Sequence, residues 1–197
     1  MIRSSRTTVA LGVVAMAAGA FLLIGSALAT GRPDRPAADP SVLAVAVQHA
    51  DVPRIVLLNV SQETTAEVAH PSGANSPAWS PDGKRIACVS LAPGQIFAMN
   101  ADGTGSVQLT NTAGSEVCPS WSPDGKKIAF TSDRTGNYEV FVMNPDGSDP
   151  TNLTDNPAWD ADPAWSPDGK SIALASNRTG TFRLWTMNAE GLFAFGP

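Results

Sequence analysis

The chain has 197 residues, 43% of them hydrophobic, with 13 Lys and Arg against 18 Asp and Glu, a net charge of −5. That is enough length for one domain with a real core. It carries no Lys/Arg block, so it lacks the basic patch that a phosphate backbone requires, and nucleic acid is excluded as a partner.

Met1 to Thr8 carries Arg3 and Arg6, and Val9 to Ala29 carries no charge and closes on Ala27-Leu28-Ala29. A positive start, an apolar run and an A-x-A site read as a secretory signal peptide over residues 1–29. The competing reading is an uncleaved membrane anchor, because the uncharged run is just long enough to span a bilayer. Neither cysteine ends the apolar run and the two arginines are not adjacent, so neither a lipidated N-terminus nor a twin-arginine signal is expected. Without residues 1–29 the balance is 11 basic against 18 acidic. Residues 30–40 hold Pro33, Pro36 and Pro40 and read as a linker. Residues 41–197 hold the domain.

The first unit, residues 42–70, has three apolar or β-prone runs: Val45-Ala46-Val47, Arg54 to Asn59 and Ala66 to His70. Val45 lies 14 residues before Asn59, as Ile86 lies 14 before Asn100, which sets Val45 in register with Ile86. The second unit, 74–110, opens on Pro77-Ala78-Trp79-Ser80-Pro81-Asp82-Gly83-Lys84, and this octet returns at 119–126 and 163–170 with Trp spacings of 42 and 44 residues. A second motif, Met-Asn-x-Asp/Glu-Gly, recurs at 99–103, 143–147 and 187–191. A period in the low forties carrying two turn motifs is a repeat architecture.

The third unit, 116–154, shows the plan most clearly. Glu116 to Ser122 is a strand ending in Trp121; Ser122-Pro123-Asp124-Gly125 suits a type I turn; Ile128-Ala129-Phe130 centres a second strand. Asp133 to Asn137 is a hairpin loop, Tyr138 to Met143 a third strand, Asn144-Pro145-Asp146-Gly147 a turn, and Thr151 to Thr154 a fourth strand. Four antiparallel strands in this length make one propeller blade. The fourth unit, 160–191, repeats the first three strands. The chain is thus read as all-β: a β-propeller of about four four-stranded blades, the first lacking its first strand and the last its fourth, open or truncated. Unpaired edges on such a stack predict self-association.

The pattern Pro-x-Trp-Ser-Pro-Asp-Gly-Lys … Ile-Ala-Phe … Ser-x-Arg-x-Gly … Met-Asn-x-Asp-Gly … Leu-Thr resembles the WD40-like PD40 repeat of TolB-type β-propellers, over residues 42–191. The same repeat is found in propeller domains of prolyl-oligopeptidase-like and tricorn-like proteases. The resemblance implies a non-catalytic protein-binding scaffold, periplasmic or extracellular, with envelope proteins such as a peptidoglycan-associated lipoprotein as partners. The alternatives are the propeller of an exported peptidase and a carbohydrate-binding propeller.

Chemistry is sparse. Asp82, Asp124 and Asp168 recur with Gly83, Gly125 and Gly169 in every octet, as turn residues do, and Trp79, Trp121 and Trp165 recur as packing between blades does. Trp159 and Trp185 have no equivalents and are the binding candidates, with the paired loop residues Arg134 and Arg178 beside them. His49 and His70 are the only histidines, and there is no Gly-x-Ser-x-Gly, His-Glu-x-x-His, Cys-x-x-Cys, Gly-x-Gly-x-x-Gly or P-loop segment. No catalytic residue, metal or cofactor is expected. Cys88 and Cys118 occupy unrelated repeat positions, so a disulfide between them is not expected.

Overall fold

In a computed structural model, residues 42–49, 52–59, 63–68, 73–92, 94–191 and 193–195 are described. The signal or anchor over 1–29, the linker over 30–40 and His70 lie outside them. Among the described residues no helix is long and apolar enough to cross a membrane.

The strands form four antiparallel sheets, each a simple meander. The first is β1 (Val42–His49), β2 (Val52–Asn59) and β3 (Thr64–Val68). The second is β4 (Ala74–Trp79), β5 (Arg85–Ser90), β6 (Ile96–Asn100) and β7 (Val107–Gln108). The third is β8 (Glu116–Trp121), β9 (Ile128–Ser132), β10 (Glu139–Met143) and β11 (Thr151–Asn152). The fourth is β12 (Asp160–Trp165), β13 (Ser171–Ser176), β14 (Arg183–Asn188) and β15 (Phe193–Phe195).

Among the described residues the first blade has three strands, as expected. The last differs from expectation: Phe193–Phe195 pairs with β14 and supplies a fourth strand, too short and too close to Gly191 to stand out as a β-run. The first blade's register also differs. Val42 pairs with Asn59 where Arg85 pairs with Asn100, so Leu43, not Val45, stands in the place of Ile86. The first hairpin is longer, and counting back from the shared Asn misplaces its partner strand.

The octet folds as a self-contained clasp. Ser80 Oγ donates to Asp82 Oδ1 at 2.6 Å, the Lys84 N–H donates to the same oxygen at 3.1 Å, and the Arg85 N–H donates to Ser80 Oγ at 2.9 Å. Ser122–Asp124 and Ser166–Asp168 repeat these bonds within 0.1 Å. Gly83, Gly125 and Gly169 have φ of 66°, 72° and 72°, the left-handed region that glycine enters without cost.

Inner strands such as β9 and β10 bury both faces because blades stack face to face, while the outer β3 and β7 are exposed. One face of a blade carries large side chains and packs into the preceding blade; the other carries small ones and receives the next. Trp121, Ile128, Phe130, Phe141 and Met143 of the third blade fill a cluster with Ala78, Ala87, Val89 and Ile96 of the second. Ile172, Leu174 and Met187 pack the same way on Ala129, Val140 and Val142. Trp79, Ile86, Cys88 and Met99 pack on Ala44 and Ile55. The Asn-x-Asp-Gly turns approach the preceding blade closely: a Cβ on Gly147 would lie 2.3 Å from the Leu109 carbonyl oxygen.

The leading strands β4, β8 and β12 approach one another in sequence, with β1 beside β4, while the outer strands β3, β7, β11 and β15 stay apart. The blades therefore fan around an inner edge. Among the described residues no strand of the first blade approaches one of the last, so the fan is open.

Candidate functional site

The meander puts two kinds of connection at opposite ends of each blade. Octets and Asn-x-Asp-Gly turns share one end, where the Ala101 N–H donates to the Lys84 carbonyl at 2.9 Å. Hairpin loops and the linkers between blades share the other.

At the turn end a groove of about 280 Å³ lies between the second and third blades, lined by Ser80, Pro81, Asp82, Arg85, Trp121 and Asp124. Arg85 spans it: its guanidinium carbon sits 4.9 Å from the centre of the Trp121 ring, and Nη2 donates to the Pro145 carbonyl at 3.1 Å. Partial burial pushes the Asp82 and Asp124 carboxyls up, but bonds from Ser80 and Lys84, and from Ser122 and Lys126, outweigh it and hold both below the ordinary value of 3.8. These carboxylates are already engaged in closing their turns.

At the hairpin end Arg134 and Arg178 are held inside the blades. Arg134 Nη2 meets the fully buried Glu116 Oε2 at 2.8 Å, Nε donates to Ser132 Oγ at 2.9 Å, and the guanidinium lies 4.6 Å from the Phe141 ring centre. Arg178 repeats this with Asp160, at 2.9 and 3.0 Å, with Ser176, and over Trp185 at 5.0 Å. The second blade has Ala74 and Ala92 at these places and a shorter loop. Glu116 and Asp160 were not singled out in the sequence; the signal was there, an acidic residue five before the repeated Trp in both blades that have the loop Arg.

Trp185 lies in β14 on the face toward the third blade, half-buried in its core cluster. Trp159 is different. It is 48% exposed, stands edge-on to Tyr138 with ring centres 5.4 Å apart, and its backbone N–H donates to Asn177 Oδ1 at 2.8 Å. The predicted four therefore do not form one site: Arg134, Arg178 and Trp185 are built into the blades, and Trp159 alone projects from the hairpin end.

Along the inner edge each leading strand carries a bulge at Ser76, Cys118 or Asp162, with φ of 48°, 53° and 55°. These left-handed residues, each preceding the octet proline, had no visible sequence signal. Burial first, then the hydrogen bond and charge of Asp162, pushes the Cys118 thiol up to about 12. Burial alone pushes Cys88 to about 12. Both cysteines are free. Among the described residues no group of three or more His, Cys, Asp or Glu side chains could hold a metal ion.

Comparison with known proteins agrees with this architecture. The profile of the TolB beta propeller domain, PD40, matches residues 36–151, more than half of the chain. The chain belongs to this family. TolB of Agrobacterium tumefaciens superposes with a TM-score of 0.72 at 26% identity, over 78% of this chain and 60% of that one. TolB of Acinetobacter baumannii gives 0.69 at 27% identity, over 76% of this chain and 39% of that one. A prolyl endopeptidase shares the fold, with a TM-score of 0.56 at 14% identity over 77% of this chain and 25% of its own. The chain thus spans less than two thirds of these TolB structures. No curated protein matches it by sequence.

Proposed function

We propose that this TolB-family propeller is an exported, non-catalytic scaffold that binds a protein of the cell envelope through the hairpin end of its blades. The observation that carries the reading is Trp159: a large aromatic, exposed, its ring set edge-on to Tyr138 and its backbone held by Asn177 on the linker between two blades. A rigid aromatic at an accessible loop end loses little entropy on binding and suits the centre of a protein interface. The resemblance to TolB points to a peptidoglycan-associated lipoprotein as the first partner to try. The apolar run before Ala29 supports export to the periplasm or beyond.

The test is titration calorimetry of the exported form with the soluble domain of that lipoprotein. Binding that weakens at least about tenfold in Trp159→Ala, with the fold intact, is the expected result. Equal affinity for wild type and variant refutes the Trp159 assignment, and no binding refutes the partner. A mature mass matching residues 30–197 tests export; an intact residue 1 refutes cleavage.

A further inference from the structure

The linkers that join the second blade to the third and the third to the fourth are held by one device in two chemical forms. In the second blade the fully buried Gln95 does the work alone. Its Oε1 accepts the Thr112 N–H at 3.1 Å, and its Nε2 donates to the Thr112 and Gly114 carbonyls at 3.3 and 2.8 Å. A carboxamide both accepts and donates, so one side chain satisfies three backbone groups of the linker into β8. That linker ends on Ser115, whose N–H donates to Asp133 Oδ1 at 2.6 Å.

The third blade divides the same work between two side chains. Glu139, 44 residues after Gln95, is buried, and its Oε1 accepts the Asn156 N–H at 3.0 Å. A carboxylate only accepts, and its other oxygen takes the Thr154 hydroxyl. Asn137 supplies the missing donor: Nδ2 donates to the Asn156 and Ala158 carbonyls at 2.9 and 2.6 Å, and it sits 3.0 Å from Glu139 Oε1. Asn156 and Ala158 lie 44 residues after Thr112 and Gly114, so the bonded backbone atoms correspond one for one. In the place of Asn137 the second blade has Pro93, which carries no side-chain donor. The linker so held ends on Trp159, in the place of Ser115, and its N–H bonds to Asn177 as that of Ser115 bonds to Asp133.

We infer that Asn137 and Glu139 are positioning residues for Trp159. They act as one latch, the equivalent of Gln95, that fixes the 155–159 linker against the third blade and so presents the indole in one place. A contact residue that is already ordered loses less entropy when a partner arrives. The gain in binding rests on Trp159 as an interface residue, as proposed above; the holding of the linker does not.

The test is amide hydrogen exchange on the exported form, for wild type, Asn137→Ala, and Asn137→Ala combined with Glu139→Gln. Loss of the Asn137 donor is expected to speed exchange at Asn156, Ala158 and Trp159 at least about tenfold and to leave the 111–115 linker unchanged. Adding Glu139→Gln puts the Gln95 solution into the third blade and is expected to bring those amides back to within about threefold of wild type. A merely space-filling role for Asn137 gives no such rescue. Unchanged exchange in Asn137→Ala overturns the latch, and so does a double variant that exchanges as fast as the single one. Circular dichroism checks folding; should Asn137→Ala not fold, a folded double variant supports the latch and an unfolded one overturns it. Calorimetry with the lipoprotein domain judges the partner separately: exchange that follows this pattern without any binding keeps the latch and removes the partner.

Discussion

Replacing Trp121 by Ala tests the stacking of blades most directly. The ring is 8% exposed and lies in the cluster between the second and third blades. Truncating a core aromatic costs about 3–5 kcal/mol in lost transfer energy and cavity. Losing the Arg85 contact at 4.9 Å adds about 1 kcal/mol. Against this, the buried indole Nε1 has no hydrogen-bond partner among the described residues, so its removal returns about 1 kcal/mol. The net loss is about 3–5 kcal/mol, which lowers the melting temperature by roughly 10 °C for a chain of this length. Trp121→Phe keeps most of the apolar contact and also removes the orphan donor, so it costs less than about 1.5 kcal/mol. Urea denaturation followed by circular dichroism and by tryptophan fluorescence measures both, and coincident transitions check the two-state treatment that repeat arrays sometimes break. An Ala variant within about 1 kcal/mol of wild type places the ring outside the core. A Phe variant as damaged as the Ala one would mean that the indole N–H, not the packing, matters.

The Glu116–Arg134 pair predicts a non-additive cycle. Arg134→Met strands a fully buried carboxylate and costs about 3–5 kcal/mol, whereas adding Glu116→Leu recovers much of it; additive losses would refute the pairing. Acid weakens the turns. Bonds from Ser166 and Lys170 hold Asp168 below 3.8, and Asp82 and Asp124 are held low likewise. A depressed carboxyl contributes stability above its unfolded value that is lost as pH falls through its folded one. The urea midpoint therefore drops as pH falls below about 4, and a midpoint that holds or rises there refutes the clasp.

The repeating parts were legible because short-range chemistry specifies them. Ser-Pro-Asp-Gly closes its own turn, so the three octets locate three strand pairs, and the recurrent Trp falls at the blade interface. The first blade's three strands also followed, but not their register, since the hairpin length that sets it is not constrained by the Asn at its end. Bulges at Ser76, Cys118 and Asp162 were invisible: three different side chains share a backbone state imposed by neighbouring strands. For the candidate site, the sequence distinguished Trp159 and Trp185 only by their lack of repeats. It could not tell an exposed ring from one lodged under Arg178, because that depends on which face of β14 meets the third blade. The partners of Arg134 and Arg178 lie 18 residues upstream and become neighbours only across the hairpin.

The octet clasp divides the molecule into a constant end and a variable one. Three copies of the same local bonds leave little freedom at the turn end, where a change in one residue breaks a closed circuit. The hairpin end obeys no such rule: its loops differ in length between the second and third blades, its acid–arginine clasp comes and goes, and Trp159 occurs once. New recognition can therefore evolve by rewriting one end while the scaffold is copied unchanged. Duplicating a blade multiplies the frame without committing the copy to its parent's partner.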